Sequence, residues 1–77
     1  MHNAPATIPD DQLPDIEVGI LSFNRAAETL QTIEILLASE YPPERLQITV
    51  IDNASSDGTP QSVRERYGAR GRVIELP

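Results

Sequence analysis

Residues 48–59 read Ile-Thr-Val-Ile-Asp-Asn-Ala-Ser-Ser-Asp-Gly-Thr, and this stretch decides the fold. An apolar, β-branched run (Ile48, Val50, Ile51) stops at Asp52, and small polar residues follow as far as Gly58. Thr59-Pro60 then has the composition of a helix start, with proline suited to the first helical position. A β-branched run ending in a carboxylate and a turn is how a buried parallel strand delivers a polar group to the rim of its sheet. In open α/β sheets that rim is the crevice where ligands bind. Asp52 is therefore expected at the rim, facing a ligand.

Working outward, Ile16–Phe23 (IEVGILSF) predicts a first strand, with near-continuous apolar residues at Val18, Ile20 and Leu21. Gly19 invites a close backbone approach, and Asn24 is the expected N-cap of the next helix. That helix is predicted from about Arg25 to Ala38, with Ala26, Leu30, Ile33 and Leu37 as its core stripe and Glu28, Gln31 and Ile35 opposite. Tyr41-Pro42-Pro43 ends it. Leu46–Ile51 is the second strand. A short helix capped by Thr59 buries Val63 and Tyr67 and stops at Gly68. Arg72–Leu76 forms a third strand.

The order is β-α-β-α-β. Crossovers between parallel strands are right-handed in about 98% of cases, so two steps in the same sense give strand order 3-2-1 with both helices on one face. The expected fold class is α/β, a three-stranded parallel Rossmann-like half-sheet. Strands one and two carry apolar residues of both parities (Ile20 and Leu21, Val50 and Ile51), as a sheet covered on both sides requires. Self-association or a missing C-terminal portion is expected to cover the open face.

Size and charge bound the function. The chain has 77 residues, enough for one small domain. Residues 1–15 hold Pro5, Pro9 and Pro14 among Asp10, Asp11 and Gln12 and read as a flexible leader, with no partner nearby for His2. Residues 16–77 form the domain. There is no cysteine, hence no disulfide and no thiolate metal site. No apolar run approaches a membrane span and no signal-peptide pattern opens the chain, so the expected location is cytoplasmic. Six Lys+Arg against twelve Asp+Glu give a net charge of −6, which argues against a nucleic-acid partner. Arg64, Arg66, Arg70 and Arg72 are a local basic exception, read as a solvated helix face and its C-terminal end rather than an anion site.

Two uses compete for Asp52: accepting a hydrogen bond from a ligand N–H, or capping its own turn. Asn53, Ser55, Ser56 and Asp57 suit turn-making, and Asp57-Gly58 is an ordinary turn dipeptide. Phe23 ends strand one on the same rim and is either a core residue or a ring on which a flat base stacks. A stacking ring beside an N–H acceptor would fix the plane of a nucleobase and read its edge. That reading requires the Asp52 carboxylate to stand free beside Phe23.

With these residues in place, the chain resembles the family-two glycosyltransferases of the GT-A fold. Those enzymes open with an apolar strand ending in Thr/Ser-Tyr/Phe-Asn-Arg, as in Val18–Arg25 (VGILSFNR). Their second strand ends in Asp-Asn or Asp-Asp, then Gly/Ala-Ser and Ser/Thr-Asp-Gly/Thr, as in ITVIDNASSDGT. The resemblance runs from Val18 to Leu76 and implies the nucleotide-binding half of an incomplete GT-A fold. It implies a nucleotide-sugar partner of uridine, thymidine or guanosine type and a glycan or lipid-linked acceptor. By position, Ser22 and Phe23 would line the base pocket, Asp52 would accept from the base, and Asn24 and Asn53 would shape the rim. The family also implies a divalent cation, Mg or Mn, held by an Asp-x-Asp motif. This sequence contains no such motif, and its last carboxylate is Glu75. Without cation or general base, the expectation is binding without sugar transfer from these residues alone.

Two other classes compete. A dinucleotide-binding half-domain would use an acid at the end of strand two to hold a ribose, but SFNRAAE lacks the G-x-G-x-x-G of close pyrophosphate approach. A non-catalytic segment that self-associates is the other. A phosphoacceptor receiver needs acids at the end of strand one, where Ser22-Phe23-Asn24 offers none.

Overall fold

The computed structural model describes residues 9–77. His2 and Pro5 lie outside them. Three strands, β1 (Ile16–Ser22), β2 (Leu46–Asn53) and β3 (Gly71–Leu76), alternate with α1 (Ala26–Leu37) and α2 (Thr59–Tyr67). The strands are parallel in the order β1-β2-β3, as the same-sense crossovers predict. The result is an incomplete Rossmann-like sheet.

Alternation along the strands separates two faces. Ile48 and Val50 of β2 meet Ile33 of α1 and Val63 of α2 in one buried core, so both helices cover the same side. Leu30, Leu37 and Tyr67 close around it, as the helical stripes predict. Tyr67 also ties the helices together, its hydroxyl donating to Glu34 Oε2 at 2.6 Å and to the Leu30 carbonyl at 3.2 Å. Burial and the Glu34 carboxylate push the Tyr67 pKa up to about 12, so it remains a donor throughout the neutral range.

On the opposite face Leu21, Ile51 and Ile74 form one cross-strand row, with Leu76 in register with Asn53. No helix among the described residues covers them, and Leu21 is 80% exposed. Further down the strands this face is polar. Glu17 Oε2 reaches across β2 to accept from Thr49 Oγ1 at 3.1 Å and Arg72 Nη2 at 2.9 Å, which keeps Thr49 buried. Gly19 lies on this face with nothing pressing on it; a Cβ there would meet only Ile51 Cδ1, at an ordinary 3.9 Å.

The ends of the elements depart from expectation in informative ways. Asn24 does not cap α1: it sits at φ 50, and Arg25 is the N-cap, without a side-chain cap bond. Thr59 does not cap α2 either. It is the first helical residue, behind Gly58, whose φ of 81 suits a residue without a Cβ. Gly68 does stop α2, at φ 54. The preceding segment carries a 3-10 turn at Asp10–Gln12. Arg45 bonds Asp15 Oδ1 at 3.2 Å and the Asp11 carbonyl at 3.3 Å, and the Tyr41 hydroxyl donates to the Pro14 carbonyl. Three of the four arginines of the basic stretch pair with acidic neighbours: Arg64 with Glu75 at 2.7 Å, Arg66 with Glu34 at 3.8 Å and Arg72 with Glu17 at 2.9 Å. No helix among the described residues is long and apolar enough to cross a membrane.

Candidate functional site

Parallel strands of matched register bring their carboxyl ends to one rim, where Ser22, Asp52 and Glu75 stand in a row. There Leu21, Ser22, Phe23, Arg25, Ile51, Asn53 and Leu76 line a hollow of about 390 Å³. Its floor is the apolar end of the open sheet face. Its walls are the loop after β1, which contributes Phe23 and Arg25, and the end of β2, which contributes Asn53. Phe23 is 55% exposed, a large ring held out at the edge of a cavity rather than packed in the core.

Of the five residues singled out in the sequence, Ser22, Phe23 and Asn53 come together around this hollow. Asn24 and Asp52 do not line it. Asp52 is 1% exposed, and its two carboxylate oxygens accept from Ser55: Oδ2 from the backbone N–H at 2.8 Å, Oδ1 from the hydroxyl at 2.6 Å. Of its two uses, the structure shows turn capping: the carboxylate does not stand free beside Phe23, and the expected base-reading pair of Phe23 and Asp52 is not assembled. The physical reason is parity: Asp52 falls on the same side of β2 as Ile48 and Val50, beneath the helices, while Asn53 falls on the open side with Ile51. Ser22 shares that covered side, and its hydroxyl is engaged with Thr29 Oγ1 at 2.9 Å. Asn24 acts as a joint between loops, its Oδ1 accepting from the Ser56 N–H at 2.8 Å. Arg25 and the apolar floor escaped the sequence reading. The Asn-Arg step after strand one was the available signal for Arg25.

Chemically, the hollow offers an exposed ring for stacking, an amide that both donates and accepts, and a guanidinium beside them. That set fits a flat heterocycle carrying an anionic tail. Residues 17–77 match the family described as glycosyl transferase family 2. The chain belongs to that family. Among solved structures, the fold is similar to mannosyltransferase PcManGT from Pyrobaculum calidifontis in complex with GDP-Man and Mn2+, at a TM-score of 0.71 and 26% identity. The match covers 95% of this chain and 23% of the mannosyltransferase, so the chain spans under a quarter of that protein's length. No curated protein matches it.

The family's divalent cation finds no fit here. Among the described residues, no group of three or more His, Cys, Asp or Glu side chains could hold a metal ion. Of the rim carboxylates, Asp52 and Asp57 accept hydrogen bonds at both oxygens and Glu75 pairs with Arg64 at 2.7 Å.

Proposed function

We propose that this chain is the nucleotide-gripping part of a glycosyltransferase that moves a sugar from a nucleotide-diphosphate donor to a glycan or lipid-linked acceptor. The observation that carries the reading is the meeting of an exposed ring, an amide and a guanidinium in one hollow at the carboxyl ends of parallel strands. Phe23 stacks on the base, Asn53 reads its edge, and Arg25 attracts the phosphates. Ser22 contributes to the wall, while Asp52 and Asn24 hold the rim loops in shape. GDP is the first nucleotide to try, since the similar mannosyltransferase was solved with GDP-Man; UDP and TDP are its competitors. The same reading leaves sugar transfer to residues outside these 77 and assigns the open face at Leu21, Ile74 and Leu76 to the larger part of such an enzyme or a second copy.

Calorimetric titration of the chain with GDP, UDP and TDP tests this. Phe23→Ala is expected to weaken the preferred nucleotide by about 1–3 kcal/mol, roughly five- to 150-fold. Asn53→Ala should cost about 0.5–1.5 kcal/mol. Nucleotide binding indifferent to both substitutions would refute the assignment.

A further inference from the structure

The two rim loops are joined side to side. The Asn24 N–H donates to Ser55 Oγ at 2.8 Å, and that hydroxyl donates onward to Asp52 Oδ1. The Ser56 N–H returns a bond to Asn24 Oδ1. Asp57 completes the joint from the other side. Its Oδ2 accepts from the N–H of Ala26, the first residue of α1, at 3.1 Å. Its Oδ1 accepts from the N–H of Thr59, the first residue of α2, at 3.1 Å, and from the Thr59 hydroxyl. One carboxylate therefore serves the starts of both helices, and neither N-cap residue supplies a side-chain bond of its own. The bond from Thr59 holds the Asp57 carboxyl below its ordinary range, so it is an acceptor at both oxygens.

The backbone is strained on both sides of the joint. Asn24 (φ 50) and Ala54 (φ 58) are non-glycine residues in the left-handed region. Such conformations persist where the surroundings over-determine them. The joined segments also carry residues that line the hollow, Phe23 and Arg25 on one and Asn53 on the other.

We propose that Asp57 is a positioning residue: by bonding the first N–H of both helices, it sets the spacing between the Phe23–Arg25 wall and the Asn53 wall. It touches no ligand itself. What the walls hold rests on the nucleotide reading above; the joint does not. A carboxylate is required because all of its partners are donors. An amide of the same shape would turn an NH2 group towards one of the two helix starts and could serve only one.

The test compares the wild-type chain with Asp57→Asn by GDP and UDP titration and by backbone NMR, with circular dichroism reporting the fold. The expected variant stays folded and loses exchange protection at either the Ala26 or the Thr59 amide. It shows new exchange broadening in both Phe23–Arg25 and Asn53–Ser55 and binds nucleotide about tenfold more weakly or worse, as small misplacements of contact groups do. Broadening confined to Gly58–Thr59, with affinity within about twofold of wild type, would overturn the proposal. If neither nucleotide binds the wild-type chain, the functional reading has failed, and the broadening alone decides: in both rim segments it supports the joint, at Thr59 only it overturns it. Should Asp57→Asn fail to fold, Ala26→Pro removes only the N–H that Asp57 Oδ2 accepts, at a first helical position that proline suits. Broadening across Asn53–Ser55 is then expected, and an undisturbed Asn53–Ser55 segment overturns the proposal.

Discussion

The two ends of the sheet carry hollows of similar size and opposite character. At the carboxyl ends of the strands, about 390 Å³ is bounded by Phe23, Arg25 and Asn53 over an apolar floor. At the amino ends, about 310 Å³ is bounded by Asp15, Glu17, Glu44, Arg45 and Gln47 around Ile16 and Leu46. The lower hollow has no aromatic ring, and its one cation, Arg45, is already bonded to Asp15. The upper one presents an exposed ring and an amide on loops tied to each other by Asn24, Ser55, Ser56 and Asp57. The difference teaches that volume does not mark the site. What marks it is an exposed ring and an amide on a braced frame, beside an Arg25 that pairs with Glu28 only at 3.9 Å.

Substitutions should follow that contrast. The largest effect on stability at either end is expected from Asp52→Ala, which removes a buried carboxylate accepting two bonds from Ser55. Hydrogen bonds to a charged group contribute about 1.5–3 kcal/mol, and urea denaturation should show a loss of about that size. That is a large share of the total for a chain this small. A loss under about 0.5 kcal/mol would mean that the rim does not depend on this cap.

Acidification should loosen the same end next. The folded pKa of Asp57 lies below its ordinary 3.8. Its contribution is therefore fully present above that ordinary value and is lost as pH falls through the depressed one. Amide exchange at Ala26 and Thr59 should accelerate in that acid window. In Asp57→Asn the step should vanish. The smallest effect is expected at the other end. Asp15→Ala breaks an ion pair in which Asp15 is 82% exposed, and exposed pairs contribute about 0–1 kcal/mol. Its stability should be nearly that of wild type and its nucleotide affinity unchanged.

Much of the fold was legible because its signals are local. The β-branched runs at Ile16–Leu21 and Leu46–Ile51, the Ala26–Leu37 stripe and the stops at Pro42-Pro43 and Gly68 each report on their own neighbourhood. Strand order followed from crossover handedness together with two steps in the same sense. The site was legible in part. Phe23 and Asn53 could be placed at the rim from the motifs, but the choice between Asp52 and its neighbour needed the parity of β2. Assigning Ile48 and Val50 to the helix side would have put Asp52 there too. The helix caps were not legible. Asp57 bonds Ala26 across 31 residues, and nothing near Asn24 in the sequence signals that its side chain serves the neighbouring loop.

The most direct measurement is a map of backbone and side-chain NMR shifts as GDP, and then UDP, is added to the chain. Saturable shifts are expected at Phe23, Arg25, Asn53 and Leu76, with Ile16, Glu44 and Gln47 undisturbed. Shifts gathered at the amino-end hollow, or none at the carboxyl rim with either nucleotide, would contradict the nucleotide reading.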